Sequence, residues 1–127
     1  VVRATAVYRV SRPGGVVTLH QELPSHGAEG AVAFRALDAR QTQGGFELRD
    51  FVVIASPRAP EGEGIQVWLW APPSMVLRQT IAAAGARSAH VLQSGGDLWL
   101  AATHAGGFSV WRWVQGSFRA AGGEVAW

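Results

Sequence analysis

A repeated pattern of short apolar runs, separated by glycine-rich breaks, constrains this chain more than any other feature of its sequence. The stretch from Leu19 to Ala28 can be laid over Leu77 to Ala86, with Leu, Gln, Gly and Ala coinciding at the same spacing. Phe51 to Ser56 can likewise be laid over Leu98 to Thr103. Such self-similarity is the signature of repeat architectures, in which each unit buries its apolar faces against its neighbours. The sequence therefore predicts stacked copies of one supersecondary unit.

A set of three aromatic-rich segments completes the repeat. VYRV, VWLW and VWRW begin at Val7, Val67 and Val110. Two positions of the set come into register, namely Tyr8 with Trp68 and Trp111, and Val10 with Trp70 and Trp113. The spacing from Trp68 to Trp111 is 43 residues, which is the size of a four-stranded propeller blade.

The apolar runs are rich in β-branched and aromatic residues and end at Gly or Pro, which is typical of strands. They predict strands over Ala6–Val10, Val16–Leu23, Ala31–Ala36, Phe51–Ser56, Ile65–Trp70, Val76–Ile81, Ala89–Gln93, Leu98–Thr103 and Phe108–Trp113. Leu37 to Asp50 is polar and predicts a long hairpin loop, and Phe118 begins a further unit. A helix over Thr80 to Gln93 is the alternative, since three consecutive alanines favour it, but Gly85 opposes it.

Both faces of the predicted strand IQVWLW carry large apolar side chains. Ile65, Val67 and Leu69 alternate with Trp68 and Trp70. A sheet with one face in water would not need this pattern, whereas a blade packed between two neighbouring blades would. We therefore assign four tryptophans to packing between blades: Trp68, Trp70, Trp111 and Trp113.

The predicted fold is all-β, made of four-stranded antiparallel propeller blades. The units extend approximately over residues 16–70 and 76–113, with partial units at 1–15 and 114–127. About two blades cannot close a ring, and their apolar faces would stay exposed. We therefore expect the chain to belong to a longer propeller or to associate with itself.

Composition and charge argue against several classes of partner. The net charge is +2 and the pI is about 10.4, because all 11 basic residues are arginine. These arginines are scattered among acids and form no basic stripe, so no nucleic-acid partner is predicted. No apolar run approaches the roughly 20 residues that a spanning helix needs, so no membrane insertion is predicted. The absence of cysteine excludes a thiolate metal site within these residues.

Residue types that carry catalysis are present but lack the spacing of a known site. The four histidines have no metal-ligand spacing: His20, His26, His90 and His104. No G-x-S-x-G elbow occurs, and Gly62-Glu63-Gly64 lacks the third glycine of a dinucleotide fingerprint. Glu61 with Glu63, and Glu47 with Asp50, are interpreted as solvated loop charges. The sequence thus predicts no enzyme, no metal and no cofactor.

Several short motifs together resemble a known family. They are Leu77-Arg78-Gln79, Gly85-Ala86, Leu98 to Ala102 and Val110-Trp111-Arg112-Trp113, matched in the earlier copy by Gln21, Gly27-Ala28 and Val53 to Ala55. This pattern resembles the EAR repeat, also called the EPTP or epitempin repeat. The resemblance implies blades of a seven-bladed propeller in secreted or cell-surface proteins, such as the leucine-rich glioma-inactivated proteins and the thrombospondin-type laminin G domain and EAR repeat protein. It implies extracellular protein recognition without enzymatic activity.

If the units are blades, one set of connections shares a face with the connections between blades. That face carries Arg35 to Arg49, Ala71 to Ser74 and Val114 to Ser117. Because recognition concentrates on loops held by a rigid scaffold, we expect a cell-surface receptor or matrix protein to bind there, at Arg40, Glu47, Arg49, Pro72 and Pro73. The alternatives are a fragment of a β-propeller hydrolase or lyase, completed by further blades, and an intracellular scaffold propeller.

Overall fold

The computed structural model describes residues 4–11, 13–25, 27–38, 47–60 and 63–121. These ranges form strands and turns without a helix. The strands are β1 (Ala4–Val10), β2 (Val17–Pro24), β3 (Gly30–Asp38), β4 (Glu47–Ala55), β5 (Ile65–Ala71), β6 (Ser74–Ile81), β7 (Ser88–Ser94), β8 (Asp97–His104), β9 (Gly107–Val114) and β10 (Ser117–Ala120).

The strands form three antiparallel layers in chain order. Strands β1 and β2 make a hairpin, β3 to β6 make the first sheet, and β7 to β10 make the second sheet. The predicted all-β class and four-stranded antiparallel sheets are confirmed. The helix over Thr80 to Gln93 is wrong, because β6 continues to Ile81, β7 begins at Ser88, and Gly85 between them has a left-handed φ of 74°.

The sheets are offset by one strand from the units that the sequence suggests. Strand β6 pairs with β5, for example Met75 with Trp70, so it is the outer strand of the first sheet and does not join the second. In the same way Phe118 pairs with Trp113, so β10 completes the second sheet and does not begin a further unit. The segment from Val76 to Trp113 therefore contains one outer strand and the first three strands of the following sheet.

The hairpin between β3 and β4 has a shorter connection than the sequence suggests. The ladder continues through Leu37 opposite Leu48 to Asp38 opposite Glu47. The predicted loop from Leu37 to Asp50 is therefore wrong at both ends, and its middle, residues 39–46, lies outside the described residues. Opposite charges and apolar groups that face each other across strands stabilise such a ladder even where the sequence is polar.

Another layer packs on each face of the first sheet. One face packs on the second sheet in a core that includes Phe51, Val53, Val67, Leu100 and Phe118. The other face packs on the β1–β2 hairpin in a second cluster of buried residues, formed by Leu23, Ile54, Trp68 and Met75. This arrangement explains why strand β5 is apolar on both sides.

One part of the sequence overlay is shifted by a residue. The structure pairs Val52 with Trp68, and Leu100 with Trp111. If Trp68 and Trp111 are matched as the sequence suggests, Val52 matches Leu100, which differs by one position from the overlay of Phe51 on Leu98. A shift of one residue in a strand exchanges the two faces of the sheet.

Candidate functional site

A glutamine on the outer strand of one layer clamps the backbone of the outer strand of the next. Gln21 on β2 donates from Nε2 to the carbonyl of Met75 on β6 (2.9 Å), and the Met75 N–H donates to Gln21 Oε1 (2.7 Å). Gln79 on β6 bonds Phe118 on β10 in the same way, at 2.7 and 2.8 Å. We call each of these pairs of bonds an amide clamp. The clamps satisfy backbone groups that an edge strand would otherwise leave unpaired.

The residue before each clamp glutamine lies in a β-bulge. The register shifts after Val7 between β1 and β2, and after Val67 between β5 and β6. The extra residue is His20 in the first case and Arg78 in the second. Bulges re-aim side chains, and these two both point toward the next layer.

The two bulge residues reach the same kind of acceptor. His20 Nε2 bonds the carbonyl of Pro73, in the turn between β5 and β6. Arg78 Nη1 donates to the carbonyl of Gly116, in the turn between β9 and β10, at 3.3 Å. Both contacts therefore connect an outer strand to the outer turn of the following sheet.

Arg78 has a further partner that His20 lacks. Its guanidinium holds the fully buried carboxylate of Asp38 through two bonds, at 3.0 and 2.8 Å. Arg49 Nε lies 3.9 Å from the same carboxylate, and Arg49 Nη2 lies 2.8 Å from Glu47. Two-point arginine–carboxylate pairs are among the stronger and more directional hydrogen-bonded contacts. We call Asp38, Arg49 and Arg78 the buried ionic network.

One end of the two sheets, which we call the loop end, carries several turns. Antiparallel order places the end of β3, the start of β4 and the β5–β6 turn at this end. The indole of Trp113 donates to the carbonyl of Leu37 (2.7 Å), which brings the β9–β10 turn alongside them. Gly96, in the β7–β8 turn, lines a groove together with Leu37 and Leu48.

The predicted partner-binding residues have different environments at this end. Glu47 is exposed beside the hairpin connection, and Pro72 and Pro73 are exposed in the β5–β6 turn. Arg49 lies in strand β4 with its side chain 20% exposed and belongs to the buried ionic network. Its predicted position in an exposed loop is therefore wrong. Arg40 lies outside the described residues.

A groove of about 370 Å³ opens at the loop end between the two sheets. Leu37 and Leu48 face each other across strands on its wall and are 48% and 62% exposed. The rest of the wall includes Gln93, Leu98, Trp113 and Gln115. Sequence reasoning missed both leucines because it placed them inside a polar loop.

The opposite end of the sheets is closed by tight backbone contacts. A Cβ added to Gly64 would lie 2.1 Å from the carbonyl oxygen of Ala83, so only glycine fits there. The Ala105 N–H donates to the carbonyl of Ala84 at 2.9 Å.

The four tryptophans assigned to packing lie between layers. Trp68 and Trp70 face the hairpin, and Trp111 and Trp113 face the first sheet. The ring of Trp113 meets three phenylalanine rings at centroid distances of 5.5, 4.8 and 5.0 Å, those of Phe34, Phe51 and Phe118. These ring contacts hold in place the indole of Trp113, which also lines the groove.

The histidines have local roles where the structure describes them. His104 Nδ1 accepts from the Gly106 N–H (3.1 Å), so the ring proton is on Nε2, which donates to Ser109 Oγ (2.7 Å). His26 lies outside the described residues. Within the described ranges, no three His, Asp or Glu side chains are gathered as metal ligands would be. The same ranges contain no helix of the length and apolarity that crossing a membrane requires.

No protein-family model and no curated protein matches this chain. The equivalence of its layers therefore rests on the clamps, bulges and registers described above.

Proposed function

We propose that this chain is a segment of a β-propeller built from EAR-like repeats, and that it acts as a non-enzymatic protein recognition module. Its partner binds at the loop end. The exposed pair of Leu37 and Leu48, which lines a groove that Trp113 also lines, is the observation that carries the proposal.

The propeller part of the proposal is supported by the way the layers are stacked. Outer strands β2, β6 and β10 are joined in series by amide clamps. The first strands of the two sheets, β3 and β7, also approach each other. Contact at both the inner and the outer strands is what neighbouring blades around a common axis require.

The recognition part is supported by the composition of the groove. Leu37, Leu48 and Trp113 provide apolar surface, and Gln93 and Gln115 provide amides that donate and accept. Interfaces commonly combine a small apolar anchor with a polar rim. The secreted or cell-surface location and the receptor or matrix nature of the partner rest on the resemblance to EAR repeats.

The proposal is tested by placing a photo-crosslinking benzoylphenylalanine at Leu48 in the intact protein and exposing it to cultured cells with their matrix. We expect one discrete adduct, suppressed by excess unlabelled protein. The matched control carries the crosslinker at Arg58, which is exposed in the β4–β5 connection at the opposite end. Equal adducts from both positions, or none from Leu48, would overturn the proposal.

Once that adduct identifies the partner, affinity provides a second test. Leu37→Ser combined with Leu48→Ser should weaken binding at least about tenfold, because the pair forms the apolar anchor. Arg49→Glu is unsuitable for this purpose, since it would place a second carboxylate beside Asp38. Arg58→Ser should leave the affinity unchanged.

A further inference from the structure

Two glutamines line the groove at the loop end, and their amides are available to a ligand. Gln93 lies on β7 opposite Leu98, and Gln115 lies in the turn between β9 and β10. Both residues are exposed, and within the described residues neither amide forms a hydrogen bond. A glutamine amide carries two donor hydrogens and an acceptor oxygen. The groove therefore presents unused donors and acceptors beside its apolar wall.

The backbone of Gln115 has a conformation that this residue type disfavours. Its φ is 52°, and no other non-glycine residue in the part of the chain that the structure describes has a positive φ. The β7–β8 turn also has two central residues with positive φ, and both are glycine, Gly95 and Gly96. Such turns favour glycine or asparagine. Backbone strain of this kind concentrates at binding sites, which indicates that the side chain of Gln115, rather than the turn, accounts for a glutamine here.

The glutamines of the amide clamps show what ligand such an amide fits. Gln21 and Gln79 each bond both the N–H and the carbonyl of one residue on a neighbouring outer strand, at 2.7 to 2.9 Å. In each clamp the partner is extended backbone. The amide matches it because its oxygen accepts from the N–H while its nitrogen donates to the carbonyl. Extended backbone is therefore the ligand that the amides of the groove fit.

The apolar part of the groove suits a side chain carried by such a backbone. Leu98 and Trp113 line the groove together with the exposed Leu37 and Leu48. The groove is continuous with the core between the sheets, because Trp113 packs against that core as well. Peptide recognition commonly combines main-chain hydrogen bonds, which give affinity, with pockets for alternate side chains, which give specificity. The groove contains the groups that both kinds of contact need.

We infer that the partner presents an extended stretch of its chain to the groove. Gln93 and Gln115 bond the backbone of this stretch, as the clamp glutamines bond strands within the chain, and a large apolar side chain of the stretch packs beside Trp113. The inference rests on the proposed function, since it concerns the same groove, and it names the feature of the partner that the groove recognises.

The test uses linear peptides selected from a random display library on the immobilised intact protein. A selected peptide is synthesised with a fluorophore, and fluorescence polarisation measures its affinity. Gln93→Leu and Gln115→Gly should each weaken binding at least about fivefold, because each removes hydrogen bonds to the peptide. Methylating the backbone nitrogens of the peptide one at a time should cause a loss of similar size at one position or more. Unchanged affinity in all of these comparisons would overturn the inference.

Urea unfolding separates a role of Gln115 in binding from a role in folding. Gln115→Gly relieves the left-handed conformation, so it should leave the urea midpoint unchanged or higher while it weakens binding. A lower midpoint would show that Gln115 stabilises the fold and would overturn its assignment to binding. Arg58→Ser, at the opposite end of the sheets, is the control and should alter neither the midpoint nor the affinity.

The leucine pair distinguishes failure of this inference from failure of the proposed function. If Leu37→Ser with Leu48→Ser abolishes peptide binding while neither glutamine variant weakens it, backbone recognition is overturned and the groove is still the binding site. If no peptide is selected, or if the selected peptides bind the leucine variant equally well, the inference is overturned. The crosslink at Leu48 then decides the proposed function by itself. A crosslinked adduct that is a glycan would overturn the inference too.

Discussion

The chain contains two contacts between layers that share an amide clamp but have different bulge residues. Where the hairpin meets the first sheet, the residue before the clamp glutamine is His20, which bonds a single carbonyl. Where the first sheet meets the second, it is Arg78, which bonds a carbonyl and also holds the buried Asp38. The amide clamp is therefore the constant part of the contact, and the bulge residue is the variable part.

The two contacts also differ in extent. The hairpin has two strands, so Arg35 and Asp50 on the inner half of the first sheet stay in water on that side, with side chains 64% and 52% exposed. The second sheet has four strands and forms a core that reaches from β4 to β10. The clamp is therefore common to the two contacts, whereas the extent of the core and the buried ionic network are not.

The largest difference between the contacts should come from the bulge residue. Arg78→Ala leaves the carboxylate of Asp38 buried without its main partner, which should lower the free energy of unfolding by about 3–5 kcal/mol. His20→Ala removes one hydrogen bond near the surface and should lower it by about 0.5–1.5 kcal/mol. Urea unfolding followed by tryptophan fluorescence measures both. Equal losses would show that the ionic network adds nothing to the second contact.

A double variant separates the charge from the packing. Asp38→Leu with Arg78→Met removes both charges while keeping apolar volume in the same space. Replacing a buried ion pair in this way is often neutral, so the double variant should be more stable than Arg78→Ala alone. If the double variant is less stable than Arg78→Ala, the ion pair itself stabilises the protein, in addition to preventing an unpaired buried charge.

The two clamps should contribute similarly to the free energy of unfolding, whereas the two bulge residues should not. Gln79→Leu leaves the N–H and the carbonyl of Phe118 without their partner, and Gln21→Leu does the same to Met75. Each change should lower the free energy of unfolding by about 1–3 kcal/mol. Gln93→Leu, an exposed glutamine on β7, is the matched control and should have little effect. A large difference between the two clamp variants would contradict the view that the clamp is the constant part.

The clamp glutamines show how much the sequence could reveal. Gln21 and Gln79 stood out because they recur at the same distance before Gly27 and Gly85, and both glycines have left-handed φ angles, of 77° and 74°. A residue constrained by the backbone or by a backbone partner can leave a pattern that recurs along the chain. The strand positions and the apolar character of both faces of β5 were readable for the same reason.

The buried ionic network could not be predicted in this way. Asp38 is one polar residue at the start of a polar stretch, and its partner Arg78 lies 40 positions away along the chain. The hairpin has no copy of this pair, because His20 occupies the equivalent bulge. The sequence also did not show which four consecutive strands form one sheet, since a regular series of strands can be divided into groups of four at any strand.

A smaller difference should separate the tryptophans at equivalent positions. Trp113 donates its indole N–H to Leu37, whereas Trp70 meets the ring of His20 at 5.9 Å and has no such acceptor among the described residues. Trp113→Phe should therefore be more destabilising than Trp70→Phe by about 0.5–1.5 kcal/mol. Thermal or urea unfolding measures the difference. The opposite order would show that packing against the hairpin outweighs the hydrogen bond at the loop end.

The smallest effect should come from the exposed pair of Arg35 and Asp50, and it tests the extent of the first contact. The hydrogen bond and the charge of Asp50 raise the pKa of Arg35, whose side chain is exposed. Solvated pairs contribute little to stability, and salt screens them at roughly 0.15 M. Arg35→Gln should therefore leave the urea midpoint of this chain unchanged within error. A clear loss of stability would mean that another layer covers the inner half of the first sheet in solution, because only burial makes such a pair matter, and the hairpin alone leaves that half in water.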